Sequence, residues 1–431
     1  MLQKLSRLGA LLLLLAIVLN ACAAVPGGAG SAAPPPPDID VQAPYQSEEA
    51  VPVIVPEPEP EPQPVLTQQD VEGALSQVME RYSAVGVAVA TVERGLLSQA
   101  GAWGWAVKDK REMTPDTKIR IASISKVVVG LCAMAMKEDG LIDLDAPISD
   151  YWGAGAANPY SKAQPTARTC MTHTSSVKNL DITQGLSKLR GILQSKSSWR
   201  NMEPGNGGYW SYSNFGMCIL GTTLELAAGQ TLDDYLQSRF LEPLGANASF
   251  FGGRLKAGEV ADLYTTGGVS RTAAVHTGQS VPTQIGQGAS YFPGGYTTSA
   301  VDMAKLVAVL ANDGVYKEPL EGGFKETRLL SDESVADMET PRFTVDLADY
   351  SPFEQCLILR RQEDVLGQDM LYYHTGSAYG VFSLLTYNPE TKNGVVVITT
   401  GARRNMNERG MYALCADLME ILYSKMEANP A

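Results

Sequence analysis

The chain has 431 residues, a formal net charge of −13 and 45% hydrophobic residues. That is enough apolar material for one large or two small folded units. No Lys or Arg occurs between Arg7 and Arg81, while ten acids do; this argues against a nucleic-acid partner and against a polybasic membrane contact.

Lys4 and Arg7 form a positive n-region, and Gly9 to Leu19 an apolar segment too short for a convincing membrane span. The next residues, Leu19-Asn20-Ala21-Cys22, resemble a bacterial lipobox, in which the cysteine carries a lipid after cleavage. The expectation is a signal peptide over 1–22, lipidation at Cys22 and a membrane-anchored lipoprotein outside the cytoplasm. Ordinary cleavage near Ala21 to Ala24 is the other reading, and it too places the protein outside the cytoplasm.

Residues 23–66 are Pro- and Glu-rich, with four consecutive prolines from Pro34 to Pro37. Such a segment cannot bury a core and is expected to be an extended, solvated tether. In the polyproline state it reaches on the order of 100 Å.

The folded unit is expected over 67–431. Thr67 caps a helix running to about Tyr82, and an alternating strand follows over Val85–Ala90. A second strand covers roughly Ser98 to Val107. An apolar helix then runs from Val127 to Met136, and short helices and loops extend to about Gly253. Phe382 to Tyr387 and Gly394 to Thr400 read as a hairpin turning at Asn388-Pro389-Glu390, and a last helix spans about Glu408 to Met426. Strands at both ends with helices between them predict an α/β (α+β) fold: an antiparallel sheet built from both termini, flanked by helices, with a helical insertion.

Ser123 and Lys126 form an S-x-x-K pair at the mouth of the apolar helix. Positions i and i+3 share a helix face, so hydroxyl and amine project together. A serine needs a base to become a nucleophile, and a buried lysine of lowered pKa can be that base. The first helical turn also offers free N–H groups that suit an oxyanion. Tyr212-Ser213-Asn214 stands just before a second apolar helix. Near a cationic lysine the Tyr212 phenol can shuttle a proton, and the Asn214 amide can hold a substrate carbonyl. His374-Thr375-Gly376 precedes the C-terminal hairpin. Gly376 allows close approach of a substrate backbone, and the N–H of Ser377 is a candidate second oxyanion donor beside that of Ser123.

Other candidates are weaker. His276-Thr277-Gly278 repeats the third motif in a Gly/Ser/Thr-rich stretch and reads as a loop. His173 reads as a structural histidine, since no G-x-S-x-G elbow accompanies it, and Trp210 as packing. With three histidines, no H-E-x-x-H and no C-x-x-C, no metal and no other cofactor is expected. Cys132 and Cys218 read as small buried hydrophobes.

In this order, the three motifs resemble the serine β-lactamase and penicillin-binding-protein superfamily. Y-S-N in place of S-D-N is similar to its class C branch. H-T-G in place of K-T-G is similar to the D-alanyl-D-alanine peptidase and esterase members of that branch. Tyr212 lies 89 residues after Ser123, and His374 a further 162 on. Thr172-His173-Thr174-Ser175-Ser176, Pro243-Leu244-Gly245 and Gly294 to Met303 also resemble family segments, with Ser176 where glycine is usual. The resemblance covers 67–425. It implies a β-lactamase/transpeptidase-like fold and acyl transfer through a covalent serine ester, with Ser123, Lys126 and Tyr212 catalytic. Asn214, His374, Thr375, Gly376 and Ser377 would bind substrate, and His374 and Thr375 would face a carboxylate if the substrate has one. The implied partner is a small molecule or a peptidoglycan peptide. A D-alanyl-peptidase or esterase, a class C-like β-lactamase and a non-catalytic cell-wall sensor are the three readings left open.

Overall fold

Valines alternating with small residues can bury both faces of a strand, and the first strand does so. In the computed structural model, which describes residues 68–428, helix α1 (Gln68–Tyr82) leads into β1 (Gly86–Glu93). Val87 and Val89 face one helical layer, and Ala88, Ala90 and Val92 the other; all are fully buried. Thr67, Cys22 and the tether lie outside the described residues. Among the described residues no helix is long and apolar enough to cross a membrane.

Strands β2 (Leu96–Val107), β3 (Arg111–Glu112) and β4 (Ile119–Arg120) follow, then α2 (Ser125–Glu138). The next hundred residues hold short helices (Ser149–Trp152, Ala167–Met171, Leu186–Gln194, Leu232–Leu236) around one longer helix, α3 (Asn214–Ala228). A small hairpin, β5 (Leu263–Thr265) and β6 (Gly268–Arg271), precedes β7 (Thr297–Thr298) and α4 (Ala300–Ala311). Beyond it come the hairpin β8 (Val315–Leu320) and β9 (Gly323–Arg328), then β10 (Phe343–Leu347), β11 (Tyr350–Gln355) and β12 (Arg360–Val365). Strands β13 (Gln368–Ala378), β14 (Val381–Asn388) and β15 (Asn393–Thr400) and helix α5 (Ala413–Ala428) complete the described chain.

Nine strands form one antiparallel sheet in the order β10-β11-β12-β13-β14-β15-β1-β2-β3. The β1–β15 pairing, from Gly86↔Thr400 to Val92↔Gly394, joins the two ends of the chain at the sheet's centre. Helices α1 and α5 cover one face, tied by Tyr82 donating to Asp417 at 2.9 Å. Helices α2, α3 and α4 belong to the larger core on the other. Cys132, Cys170, Cys218, Cys356 and Cys415 are buried free thiols.

Three features differ from the sequence reading. The last helix starts at Ala413 rather than Glu408, because the Asn407 carboxamide oxygen accepts from the N–H groups of Arg409 and Met411 and holds a turn there. Strands β8 to β12 were not expected; they are short and largely polar. His276 lies in a short capped helix (Ala273–Thr277), not a loop, with Nε2 2.8 Å from Thr297 Oγ1.

Candidate active site

The nucleophile turn is pinned before it begins. Arg120 pairs with Thr297 across β4 and β7, and Ile121 N–H donates to Tyr296 O at 2.9 Å. Ala122 then takes φ = 53°, the left-handed region that a residue with a Cβ enters at a cost of order 1–3 kcal/mol. The strain buys a sharp corner, so that Ser123 sits in a single 3₁₀ turn (Ala122–Ile124) running straight into α2. Ser125, fully buried, locks the corner: its Oγ donates to Ala122 O at 2.6 Å and accepts from Tyr296 N–H at 2.9 Å.

Lys126 is wholly buried, and its Nζ donates to Ser123 Oγ at 3.1 Å and to Pro293 O at 2.6 Å. Its Nζ also lies 4.9 Å from the centre of the Tyr212 ring. Burial pushes the Lys126 ammonium below the usual lysine range, while Tyr212 pulls in the opposite direction. For Tyr212 burial acts upward, but the Lys126 charge and hydrogen bonds from Lys126 and Ser123 carry the phenol below its ordinary value. Each partner thus favours the charged form of the other, which couples their protonation beside Ser123 Oγ.

Tyr212 is held by His173. The N–H of Ser211 donates to His173 O at 3.1 Å, and that of Ser213 to His173 Nδ1 at 3.3 Å. The imidazole and phenol rings lie 4.5 Å apart. Burial, then the charges of Lys126 and Arg360, hold His173 well below the usual histidine range. Accepting at Nδ1 places its proton on Nε2. Ser213 caps α3 by accepting from Gly216 N–H at 2.8 Å. Asn214 is therefore the first helical residue and half-buried. Asn179 braces this corner by accepting from Phe215 N–H at 3.2 Å. Trp210 packs rather than opening to the cleft, its Nε1 donating to Gln355 at 3.0 Å and its ring edge-on to Phe353. Ser176 has φ = 63°, the left-handed region that glycine enters most readily.

Strand β13 crosses directly against the nucleophile. A Cβ on Gly376 would overlap Ser383 Oγ and Ile121 O and stand 3.2 Å from Ser123 N. Ser383 Oγ donates to Ile121 O at 2.8 Å, bolting β14 to the same turn. The β12–β13 pairing stops at Arg360↔Tyr373, so no described strand pairs with residues 374–378 on that edge. Thr375 there is half-buried and Ser377 exposed. His374 is 1% exposed, and its ring Nδ1 lies 2.7 Å from Thr375 O. Burial foremost, then Arg360 and Lys126, drives it well below the usual histidine range. It is thus a neutral, enclosed side chain rather than one open to a substrate carboxylate.

The sequence reading missed Arg360. Its guanidinium carbon lies 4.4 Å from the Phe353 ring centre and 5.9 Å from that of Tyr212. No carboxylate pairs with it among the described residues, whereas its neighbour Arg361 bonds Glu354 and Glu363. The positive charge absent from His374 stands one strand away. Among the described residues no group of three or more His, Cys, Asp or Glu is placed to hold a metal ion.

A serine and a buried lysine at the mouth of one helix, and a tyrosine just before another, make up the candidate site on a β-lactamase/transpeptidase-like fold. The model of the beta-lactamase family matches residues 71–418, and the chain belongs to that family. Lovastatin esterase of Penicillium rubens is 27% identical over 262 residues, 53% of this chain and 62% of its own length. The D-amino acid amidase of Ochrobactrum anthropi superimposes with a TM-score of 0.64 at 20% identity, covering 84% of this chain and 99% of the amidase. A class C β-lactamase from Rhodobacter sphaeroides gives 0.62 at 21% identity, covering 83% and 99%. The chain spans 27–62% of the length of curated relatives it matches.

Proposed function

We infer that this protein is a serine hydrolase that cleaves ester or amide bonds through a covalent acyl-enzyme. The observation that carries this reading is the wholly buried Lys126 amine 3.1 Å from Ser123 Oγ and against the Tyr212 ring. The coupled Lys126–Tyr212 pair takes the proton of Ser123 as Oγ bonds to the substrate carbonyl carbon. The N–H groups of Ser123 and Ser377 hold the resulting oxyanion, and loss of one such donor typically costs about 3 kcal/mol. Tyr212 gives the proton to the departing alcohol or amine as its bond to carbon breaks. Water, deprotonated by the same pair, then releases the acid and restores Ser123.

A neutral His374 removes the need for a carboxylate facing that position and so tolerates substrates without one there, which supports the esterase side of the family over the D-alanyl-peptidase side. The names of the esterase and amidase relatives point to the same bond types. The test mixes protein with a labelled β-lactam beside Ser123→Ala, reads adducts by intact-protein mass spectrometry and follows ester hydrolysis in parallel. Serine-dependent ester cleavage without an adduct is the expected result. A stable adduct identifies a penicillin-binding peptidase, and fast drug turnover a β-lactamase. Silence in both assays overturns the hydrolase reading in favour of a binding protein. His374→Lys is expected to raise turnover of carboxylate-bearing esters relative to neutral ones; an unchanged ratio refutes the role given to its neutrality.

The same reading places the domain outside the cytoplasm on a lipid attached to Cys22, supported by Lys4, Arg7 and the apolar segment before the lipobox-like Leu19–Cys22. Labelled palmitate is expected to enter the protein and to be lost in Cys22→Ala; labelling that persists in the variant refutes this anchor.

A further inference from the structure

Arg120 is 9% exposed, yet no carboxylate pairs with it among the described residues. Its Nε donates to Gly294 O at 2.6 Å, which leaves the charge itself uncompensated. Buried charges are ordinarily paired, because leaving water without a counter-charge is costly. A second guanidinium stands beside it. The carbon of Arg120 lies 4.9 Å, and that of Arg271 4.6 Å, from the centre of the same ring, Tyr379. Arg271 makes no ion pair or side-chain hydrogen bond with a described residue. In a chain with 47 acids against 34 bases, two converging arginines without an acid need a reason.

Their place on the chain supplies one. Arg120 lies three residues before Ser123. Tyr379 lies in the turn just beyond Ala378, where β13 ends, three residues after Gly376, the residue pressed on the Ser123 backbone. The turn that carries Tyr379 is fixed. Ser270 Oγ donates to Tyr379 O at 2.6 Å, and a Cβ on Gly380 would overlap Tyr264 O. Tyr379 as a residue is 43% exposed, so the cluster is reachable from solvent. Tyr212, which serves the leaving group, sits on the α3 side, so the part of a substrate that follows β13 past Ser377 is its acyl part.

Resting on the serine-hydrolase reading, we propose that Arg271, backed by Arg120 and seated on Tyr379, forms an anion subsite for a carboxylate on the acyl chain. The substrates it selects are monoesters or monoamides of dicarboxylic acids, with the free acid at the end of the acyl chain remote from the cleaved carbonyl. This is compatible with a neutral His374, since the charge is read at the far end of β13. The alternative is a purely mechanical role, in which two arginines staple the hairpin through cation–π contact.

The two roles separate in a paired assay. Nitrophenyl esters of straight-chain diacids are compared with the same compounds capped as methyl esters, and the ratio of the two kcat/KM values is read. Wild type is expected to prefer the free acid, with the preference shrinking at raised salt. Arg271→Gln is expected to lower that preference about tenfold, and Arg271→Lys to restore part of it, as a charge-assisted contact requires. An unchanged ratio in Arg271→Gln, with only a lower melting temperature, overturns the subsite in favour of the staple. Binding of the uncleaved diacid monoester to Ser123→Ala, measured by calorimetry with and without Arg271→Gln, gives a readout free of turnover. If no ester is cleaved in a serine-dependent way but this binding is present and needs Arg271, the hydrolase reading fails and the subsite stands. If hydrolysis proceeds and the binding is indifferent to Arg271, the subsite fails alone.

Discussion

Replacing Lys126 with methionine is expected to lower kcat/KM for an activated ester by about a thousandfold or more, the range in which a general base is worth 10²–10⁴. The hydroxyl of Ser123 then has no amine within reach, while the volume of the buried side chain is largely kept. The size of the loss is less informative than its pH dependence. In the intact pair, activity rises with pH as the pair gives up its proton below the usual lysine range, because burial lowers Lys126. Removing the Lys126 charge takes away the largest influence holding the Tyr212 phenol down, and burial then acts upward against only the Ser123 hydrogen bond and Arg360. The residual activity of Lys126→Met should therefore rise at higher pH than in wild type. Tyr212→Phe should do the reverse. Tyr212 raises the Lys126 pKa through charge and a hydrogen bond, so its removal moves the rise to lower pH. The other groups facing the pair are Arg360, the Cys218 thiol, which burial pushes up to about 12, and the imidazoles of His173 and His374, both pushed toward the neutral form. Full pH profiles of kcat/KM for the two variants check this. Shifts in the same direction, or none, would show that the pair is not the base.

The parts of this arrangement that could be read from sequence are those encoded locally. The i, i+3 spacing of Ser123 and Lys126 survives in the structure because the 3₁₀ turn and α2 are continuous. The alternation in β1 and the Phe382–Thr400 hairpin were legible because both faces of those strands are buried, which leaves long apolar runs. What was not legible depends on contacts between distant segments. Pro293 offers Lys126 a main-chain carbonyl, which has no signature in residue type. Ser125 looks like an ordinary helix serine until Tyr296 arrives 171 residues later. Arg360 lies in β12, a short strand whose polar residues (Gln362, Glu363 and Asp364) mask its period, so neither the strand nor its reach to Tyr212 could be seen. His374 was legible as a motif position, but its enclosure was not, because that is set by the strands and helices packed around it.

Gly376→Ala is expected to cost about 10²–10³ in kcat, the range for losing one oxyanion contact. The change adds one methyl group on a strand that carries no proton in the reaction. The added Cβ falls on Ser383 Oγ and Ile121 O, and stands 3.2 Å from Ser123 N. Two of these three atoms are main chain in the nucleophile turn, so they cannot rotate away. The strand and the turn must separate instead. That motion breaks the 2.8 Å bond from Ser383 to Ile121 O and moves the Ser123 N–H relative to the Ser377 N–H. An oxyanion held between two donors tolerates little change in their separation. Overpacking should also lower stability by about 1–3 kcal/mol, so thermal melts accompany the kinetics. The double variant Gly376→Ala with Ser383→Ala separates the causes. It removes the hydroxyl obstacle but leaves Ile121 O in place. Stability is expected to recover in part, whereas kcat stays low, because the main-chain conflict at the nucleophile remains. Full recovery of kcat in the double variant would place the conflict at Ser383 alone and free the Ser123 turn of the role assigned to it.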